Sequence, residues 1–296
     1  MIMNNNLIDM LEKTVVAVVL AVMICAPARS QEISWSRKKI DGSRTGVVAS
    51  NAENVDEAMG RISGNKYIAP NGKTFKKCCG VTYRVAKALI DAQEEMKDVK
   101  KVIGYSADNM VRKYPESELS NWFIDALMKW SAEKTGKKID VGITNFGGLR
   151  VNMPKGDIML DDMMSMFPFR NKVCYLALKG KYIREIAEKM AETSFQILGG
   201  IRCEARGNKL TSLTIGGEPV DDAKTYGVCT ISFLLDGGDN LYLAKNASEV
   251  IILDDYIFDV MIKSVKDLEG KPLKYETDGR VRIFDENGKE IMPKIL

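Results

Sequence analysis

The chain has 296 residues, 45% of them hydrophobic, and 43 lysines and arginines against 40 aspartates and glutamates leave a formal charge of only +3. That length can bury a sizeable core in one large domain or two small ones, and the near balance of signs excludes the basic excess of a nucleic-acid binder. The sequence has no histidine, which excludes histidine-dependent triads, zinc hydrolases and the usual dinuclear phosphoesterase centre within these residues.

At the start, Lys13 precedes an apolar run from Thr14 to Ala26, followed by Pro27-Ala28-Arg29-Ser30. The run is shorter than the ~20 residues a spanning helix needs, and Ala28 and Ser30 suit a signal-peptidase cut before Gln31. Residues 1–30 are therefore expected to be a signal peptide, with an uncleaved anchor as the alternative. The protein would be exported to the periplasm or cell surface of a bacterium and meet the membrane only transiently. Export permits disulfides, yet beyond Cys25 the cysteines are Cys78, Cys79, Cys174, Cys203 and Cys229, an odd number with one adjacent pair. Mostly free, buried thiols are expected, and without a C-x-x-C spacing no zinc site is supported.

Residues 31–80 are polar and punctuated by Asp41-Gly42, Gly64-Asn65 and Pro70-Asn71-Gly72, which reads as an irregular lead-in with a few short strands. From Val81 the periodicity sharpens: Val85, Leu89, Ala92 and Met96 share one helical face. A strand follows at Lys101–Ser106. Between Pro115 and Glu133, Leu119, Trp122, Phe123, Ala126, Leu127 and Trp130 form one wide apolar stripe. Ser117 or Ser120 can cap that helix, Gly136 can end it, and its tryptophans read as core. Next come a strand at Ile139–Thr144, a short helix at Leu160–Met166, an apolar strand at Val173–Leu178 and a helix opened by Gly180. A hairpin turns at Gly207-Asn208. Tyr226–Leu235 reads as a strand, Val250–Leu253 as another, and Asp255–Lys266 as a helix, before a tail of strands and turns. Interleaved elements without a fixed repeat predict an α+β, mixed α/β domain over residues 81–296, with a mixed β-sheet packed against helices.

Three loops beside buried strands combine glycine or proline with polar or aromatic groups. Asn145-Phe-Gly-Gly-Leu-Arg150 offers an amide, Gly147 and Gly148 where backbone can approach a ligand, and a guanidinium. Pro168-Phe-Arg-Asn171 offers the Phe169 ring, and Phe233-Leu-Leu-Asp-Gly-Gly-Asp239 a second ring and a carboxylate. Two rings can sandwich a flat base, a stacking worth ~1–3 kcal/mol per base, and a carboxylate can accept both hydroxyls of a ribose. Taken singly, Phe169 and Phe233 also fit a core, Asp239 a turn and Arg150 a surface ion pair. The acidic pairs Asp161-Asp162, Asp221-Asp222 and Asp254-Asp255 are read as structural, two of them at helix starts. The Met-rich stretch Met159–Phe167 is read as core helix rather than a partner interface.

Together these loops, with Gly156-Asp157, Leu178-Lys-Gly180, Gly199-Gly-Ile201 and the helical Ser120-Asn121 followed by Ile124-Asp125-Ala126, resemble the C-terminal domain of the 5'-nucleotidase / UDP-sugar hydrolase family over residues 100–245. The resemblance implies that Phe169 and Phe233 clamp the nucleobase, that Asn145 contacts the base, and that Arg150 and Asp239 hold the ribose. It also assigns an arginine just before the helix, for which Arg112 is the nearest, offset by one position. Phe146 and Asn240 depart from the glycines common in the family. The family's metallophosphoesterase motifs do not occur here. The resemblance thus implies the nucleotide-binding half of an exported 5'-nucleotidase, with a nucleotide or nucleoside (a purine by expectation) as ligand and no cofactor in this chain. Divalent metals would belong to a separate metallophosphoesterase partner. The alternatives are a non-catalytic nucleoside sensor of the cell envelope, a carboxylate-and-Mg²⁺ hydrolase, and a purely structural domain.

Overall fold

The computed structural model describes residues 54–296, together with Lys13 and Thr14. The expected leader, and the lead-in before Asn54, thus lie outside the described residues apart from those two. The described residues from Asn54 to Leu296 lie in one compact unit. No helix among the described residues is long and apolar enough to cross a membrane.

The short helix Val55–Met59 (α1) leads into a three-stranded meander, Arg61–Ser63 (β1), Lys66–Ile68 (β2) and Thr74–Lys76 (β3), and then the helix Val81–Glu95 (α2). After these come Val102–Ser106 (β4), Lys113–Tyr114 (β5), Glu118–Thr135 (α3), Val141–Thr144 (β6), Gly156–Met159 (β7), Leu160–Met166 (α4), Lys172–Lys179 (β8) and Gly180–Glu192 (α5). The remainder comprises Ile197–Gly199 (β9), Ile201–Arg206 (β10), Lys209–Ile215 (β11), Glu218–Pro219 (β12), Thr225–Ile231 (β13), Glu249–Tyr256 (β14), Ile257–Lys266 (α6), Val281–Phe284 (β15) and Lys294–Ile295 (β16).

The core is a five-stranded mixed sheet in the order β14-β8-β13-β6-β9. β8 and β13 are buried almost throughout, as continuous apolar runs such as Val173–Leu178 require. Across the sheet lies α3, capped by reciprocal bonds between Ser117 and Ser120 and ended by Gly136 in the left-handed conformation. Its Leu119, Trp122, Phe123, Ile124 and Leu127 are buried, whereas Trp130 is half-buried under the Lys134 ammonium. The helix comes so close that a Cβ at Gly142 would sit 2.6 Å from Ile124, and one at Gly199 2.7 Å from Met128. A second sheet, β12-β11-β10-β15, packs against α5. Its hairpin turns through Gly207 and Asn208, both at positive φ, the backbone a tight two-residue turn needs.

Arg280 helps fasten the tail to α3. The buried Arg280 donates to both carboxylate oxygens of Asp125 (2.8 and 3.2 Å), to both of Asp278 (3.0 and 3.1 Å) and to the Leu198 carbonyl (3.3 Å). One turn earlier, Asn121 donates to Glu116 (2.7 Å) and to the Glu276 carbonyl (3.1 Å). The asparagine and aspartate of the helical motif therefore hold the fold together. Cys174, Cys203 and Cys229 are buried free thiols, as expected, and burial pushes each up to about 12.

Three expectations are corrected. α2 forms, but it packs through Tyr83, Ala86, Ile90 and Gln93 towards the meander, with the Tyr83 hydroxyl donating to the Gly64 carbonyl, while Val85 and Leu89 are each 50% exposed. The strand expected to reach Leu235 ends at Ile231, because Ser232–Leu234 turns into a 3-10 helix. Asp254 and Asp255 lie on β14 rather than in a helix, paired with Lys172 (3.0 Å) and Lys134 (3.6 Å). Of the other acidic pairs, Asp162 caps α4 by accepting from the Met159 amide (2.8 Å), as expected, and Asp222 pairs with Arg184 (3.0 Å).

Candidate functional site

Strand direction and register bring the three loops to one end of the five-stranded sheet. β6 and β13 run parallel, with Val141 beside Val228 and Gly142 beside Cys229, so Asn145 and Phe233 leave their strands on the same side. β8 runs antiparallel to β13 with Val173 opposite Ile231, which puts Phe169, just before β8, at that end too. The Lys172 amide donates to Ser232 Oγ (3.0 Å) and joins these two loops. Gln196 precedes β9 and Tyr256 closes β14 at the same end, since Ile197 pairs with Thr144 and Tyr256 with Lys172.

Asn145 is 5% exposed, and its Nδ2 donates to Asp239 Oδ2 at 2.7 Å. Gly147 and Gly148 make room for that side chain: a Cβ on either would sit 3.1 Å from its amide. Asp239 is solvent-exposed and held at φ 49°, with Asn240 at φ 59°, a left-handed pair that non-glycine residues adopt at some cost. Gly238 packs on the Phe233 ring, where a Cβ would lie 2.7 Å from two ring carbons. Phe233 and Phe169 are 45% and 46% exposed, unlike ordinary core rings. The Arg150 guanidinium stands 5.7 Å from the centre of Phe169. Arg112 braces the first loop from a distance of 37 residues, Nη1 donating to the Leu149 carbonyl (2.6 Å) and Nη2 to that of Leu296 (3.3 Å).

Two clefts flank this assembly. One of about 430 Å³ is lined by Met164, Pro168, Phe169, Tyr256 and Phe258. The other, of about 800 Å³, includes Phe146, Gly147, Gln196, Asp239 and Tyr242. Phe146 packs its ring 6.0 Å from that of Tyr114, and its amide donates to Gln196 Oε1 (3.2 Å). Sequence reasoning missed Tyr256, Gln196 and Tyr242, which sit outside the three motifs and reach the site only through strand pairing and loop closure. Arg170 donates to the Tyr256 hydroxyl (3.2 Å), and that bond with its charge holds the hydroxyl below its usual range. No group of three or more cysteines, aspartates or glutamates among the described residues fits a metal ion, and the acidic pairs are engaged as described above.

These loops gather two exposed rings, a carboxylate and a guanidinium at one end of a mixed α/β domain. The sequence profile of the 5'-nucleotidase, C-terminal domain, matches residues 100–246, and over that span the chain belongs to this family. UshA of Salmonella pullorum is 37% identical over 105 residues, which is 34% of this chain and 19% of that protein. UshA of Escherichia coli is 33% identical over 112 residues, 36% of this chain and 20% of the relative. An apyrase of Tabanus yao is 26% identical over 197 residues, 57% and 35% of the two chains. The chain thus spans about a fifth to a third of the length of these relatives. Among solved structures, the 5'-nucleotidase precursor of Thermus thermophilus superposes with a TM-score of 0.60 at 23% identity, over 73% of this chain and 45% of that one. The NAD nucleotidase of Haemophilus influenzae gives 0.53 at 19%, over 74% and 48%. Both share the fold.

Proposed function

We propose that this domain is the nucleotide- and nucleoside-recognition half of an exported 5'-nucleotidase, presenting a nucleoside 5'-monophosphate to a separate metallophosphoesterase chain. The observation that carries the reading is the convergence of two half-exposed phenyl rings, an exposed carboxylate and an exposed guanidinium at one end of one sheet. Phe169 and Phe233 sandwich the base, a purine offering the larger stacking face. Asp239 accepts the ribose hydroxyls and Arg150 steadies the same sugar. The contribution is orientation of the phosphate, with bond cleavage left to the partner's divalent metals.

The test is calorimetric titration of the purified protein with AMP and adenosine, beside Phe169→Ala/Phe233→Ala, with phosphate release assayed alone and with a family metallophosphoesterase domain added. Micromolar-range binding by the wild type should weaken by at least ~1 kcal/mol per ring in the double variant, with phosphate released only when the partner is present. Binding without any effect on the partner would favour the sensor reading. No binding by folded wild-type protein would end the proposal.

A further inference from the structure

We propose that the outward face of α2 is a two-fold interface at which a second copy of this chain docks, the two helices running antiparallel. Val81, Val85, Ala88, Leu89, Ala92 and Met96 recur at i, i+4, i+7, i+8, i+11 and i+15, one continuous apolar row. Val81, Val85, Leu89 and Met96 are between 36% and 62% exposed. The row lies opposite the face through which Tyr83 and Gln93 pack towards the meander, so among the described residues that packing leaves it uncovered. A single exposed leucine is ordinary, whereas a row running the length of a helix marks a surface of association.

The charges of α2 point to the occupant. Its first half carries Arg84 and Lys87 with no acidic residue, and its second half Asp91, Glu94 and Glu95 with no basic one. That order opposes the helix macrodipole, which favours acids at the N-terminal end and bases at the C-terminal end, and Gly80 supplies no side-chain cap. Lys87 answers Asp91 within the helix (2.6 Å). Among the described residues Arg84 and Glu95 have no ion-pair partner, and they stand about three turns apart on one flank of the apolar row. In an antiparallel pair related by a two-fold axis, each flank meets the same flank of the other copy in reverse order. Arg84 of each copy then meets Glu95 of the other, twice by symmetry, and each helix end lies beside the opposite dipole end of its neighbour. A parallel pair would instead crowd the two basic halves together and the two acidic halves together. The helix is about 22 Å long, which places the contact in the weak class of interfaces below about 1,200 Å².

Sedimentation equilibrium of the purified protein, with a thermal melt of every variant at low concentration, tests the interface. Wild type should shift from monomer to dimer between about 5 and 500 μM, as a weak contact does. Leu89→Glu sets two carboxylates near the two-fold axis and should stay monomeric over that range, with its melting temperature unchanged. Arg84→Glu and Glu95→Arg should each weaken the dimer about tenfold by turning two attractive pairs repulsive. The combined Arg84→Glu/Glu95→Arg should restore it, and an equimolar mixture of the two single variants should associate more tightly than either alone. A wild type that stays monomeric overturns the proposal, as does a dimer indifferent to Leu89→Glu. Failure of the combined variant to restore association overturns the antiparallel arrangement. A Leu89→Cys thiol shielded from iodoacetamide in a monomeric protein would give the face to another segment of this chain. A metallophosphoesterase domain that binds wild type but not Leu89→Glu would give it to that partner, and either result overturns the second copy. None of these residues lies in the three loops, so each outcome is independent of the recognition function.

Discussion

Replacing Arg280 with methionine keeps the aliphatic stem and removes the guanidinium that ties the tail to α3. Breaking a fully buried ion pair by deleting one partner costs about 3–5 kcal/mol. Here the stranded Asp125 and Asp278 side chains are 32% and 47% exposed and can regain water, so the expected loss is about 2–3 kcal/mol at pH 7. The pH dependence has a definite sign. Burial raises the Asp278 carboxyl, but the hydrogen bonds and charge of Arg280, with help from Arg202, hold it below its ordinary value in the folded protein. Stability from a depressed carboxylate is fully present above its unfolded pKa of about 3.9 and is lost as pH falls through the folded value. The gap between wild type and Arg280→Met should therefore narrow from pH 7 to pH 3. Urea unfolding followed by tryptophan fluorescence at both pH values measures it, with the buried Trp122 as a core reporter. A loss under about 1 kcal/mol at pH 7, or a gap unchanged at pH 3, would refute the clamp.

Other outcomes follow from the same geometry. Gly238→Ala drives a Cβ into the Phe233 carbonyl oxygen and ring, so calorimetry should show adenosine binding reduced about tenfold or more while the melting temperature moves little. Gly142→Ala thrusts a methyl against Ile124 and Met128; overpacking of this kind should destabilise by about 1–3 kcal/mol in thermal melts. Cys174, Cys203 and Cys229 carry thiols pushed up to about 12 and buried. At pH 8 they should stay protonated and resist iodoacetamide in the native protein, alkylating only after denaturation, as intact-mass spectrometry would read.

Legibility in the sequence followed the range of the interaction. Glu118–Thr135 announced itself through a stripe, a serine cap and a terminal glycine, all within one helix. The same rule located Val81–Glu95 but chose the wrong face, because periodicity reports that a helix is two-sided and cannot say which side the small meander covers. Strand ends were blurred where a buried run continues into a 3-10 turn, as at Ser232–Leu234, since apolar composition does not mark the change of backbone. Loop chemistry at Asn145–Arg150, Phe169 and Phe233–Asp239 was visible in residue type. The long-range bonds were not: Asn145 to Asp239, Arg112 to Leu149 and Arg280 to Asp125 join positions 94, 37 and 155 residues apart. Only strand register brings such pairs together.

The loops carrying Phe169, Phe233 and Asn145 rise from β8, β13 and β6, three adjacent strands of one sheet. Neighbouring strands stand ~4.8 Å apart whatever their side chains, so backbone hydrogen bonding fixes the spacing of the points from which the three loops spring. Under the proposed function, a ligand held between rings on such loops is graded by thickness and flatness. The outline of the ring, and so the identity of the base, would then be left to whatever groups stand around the opening, and those can change without resetting that spacing.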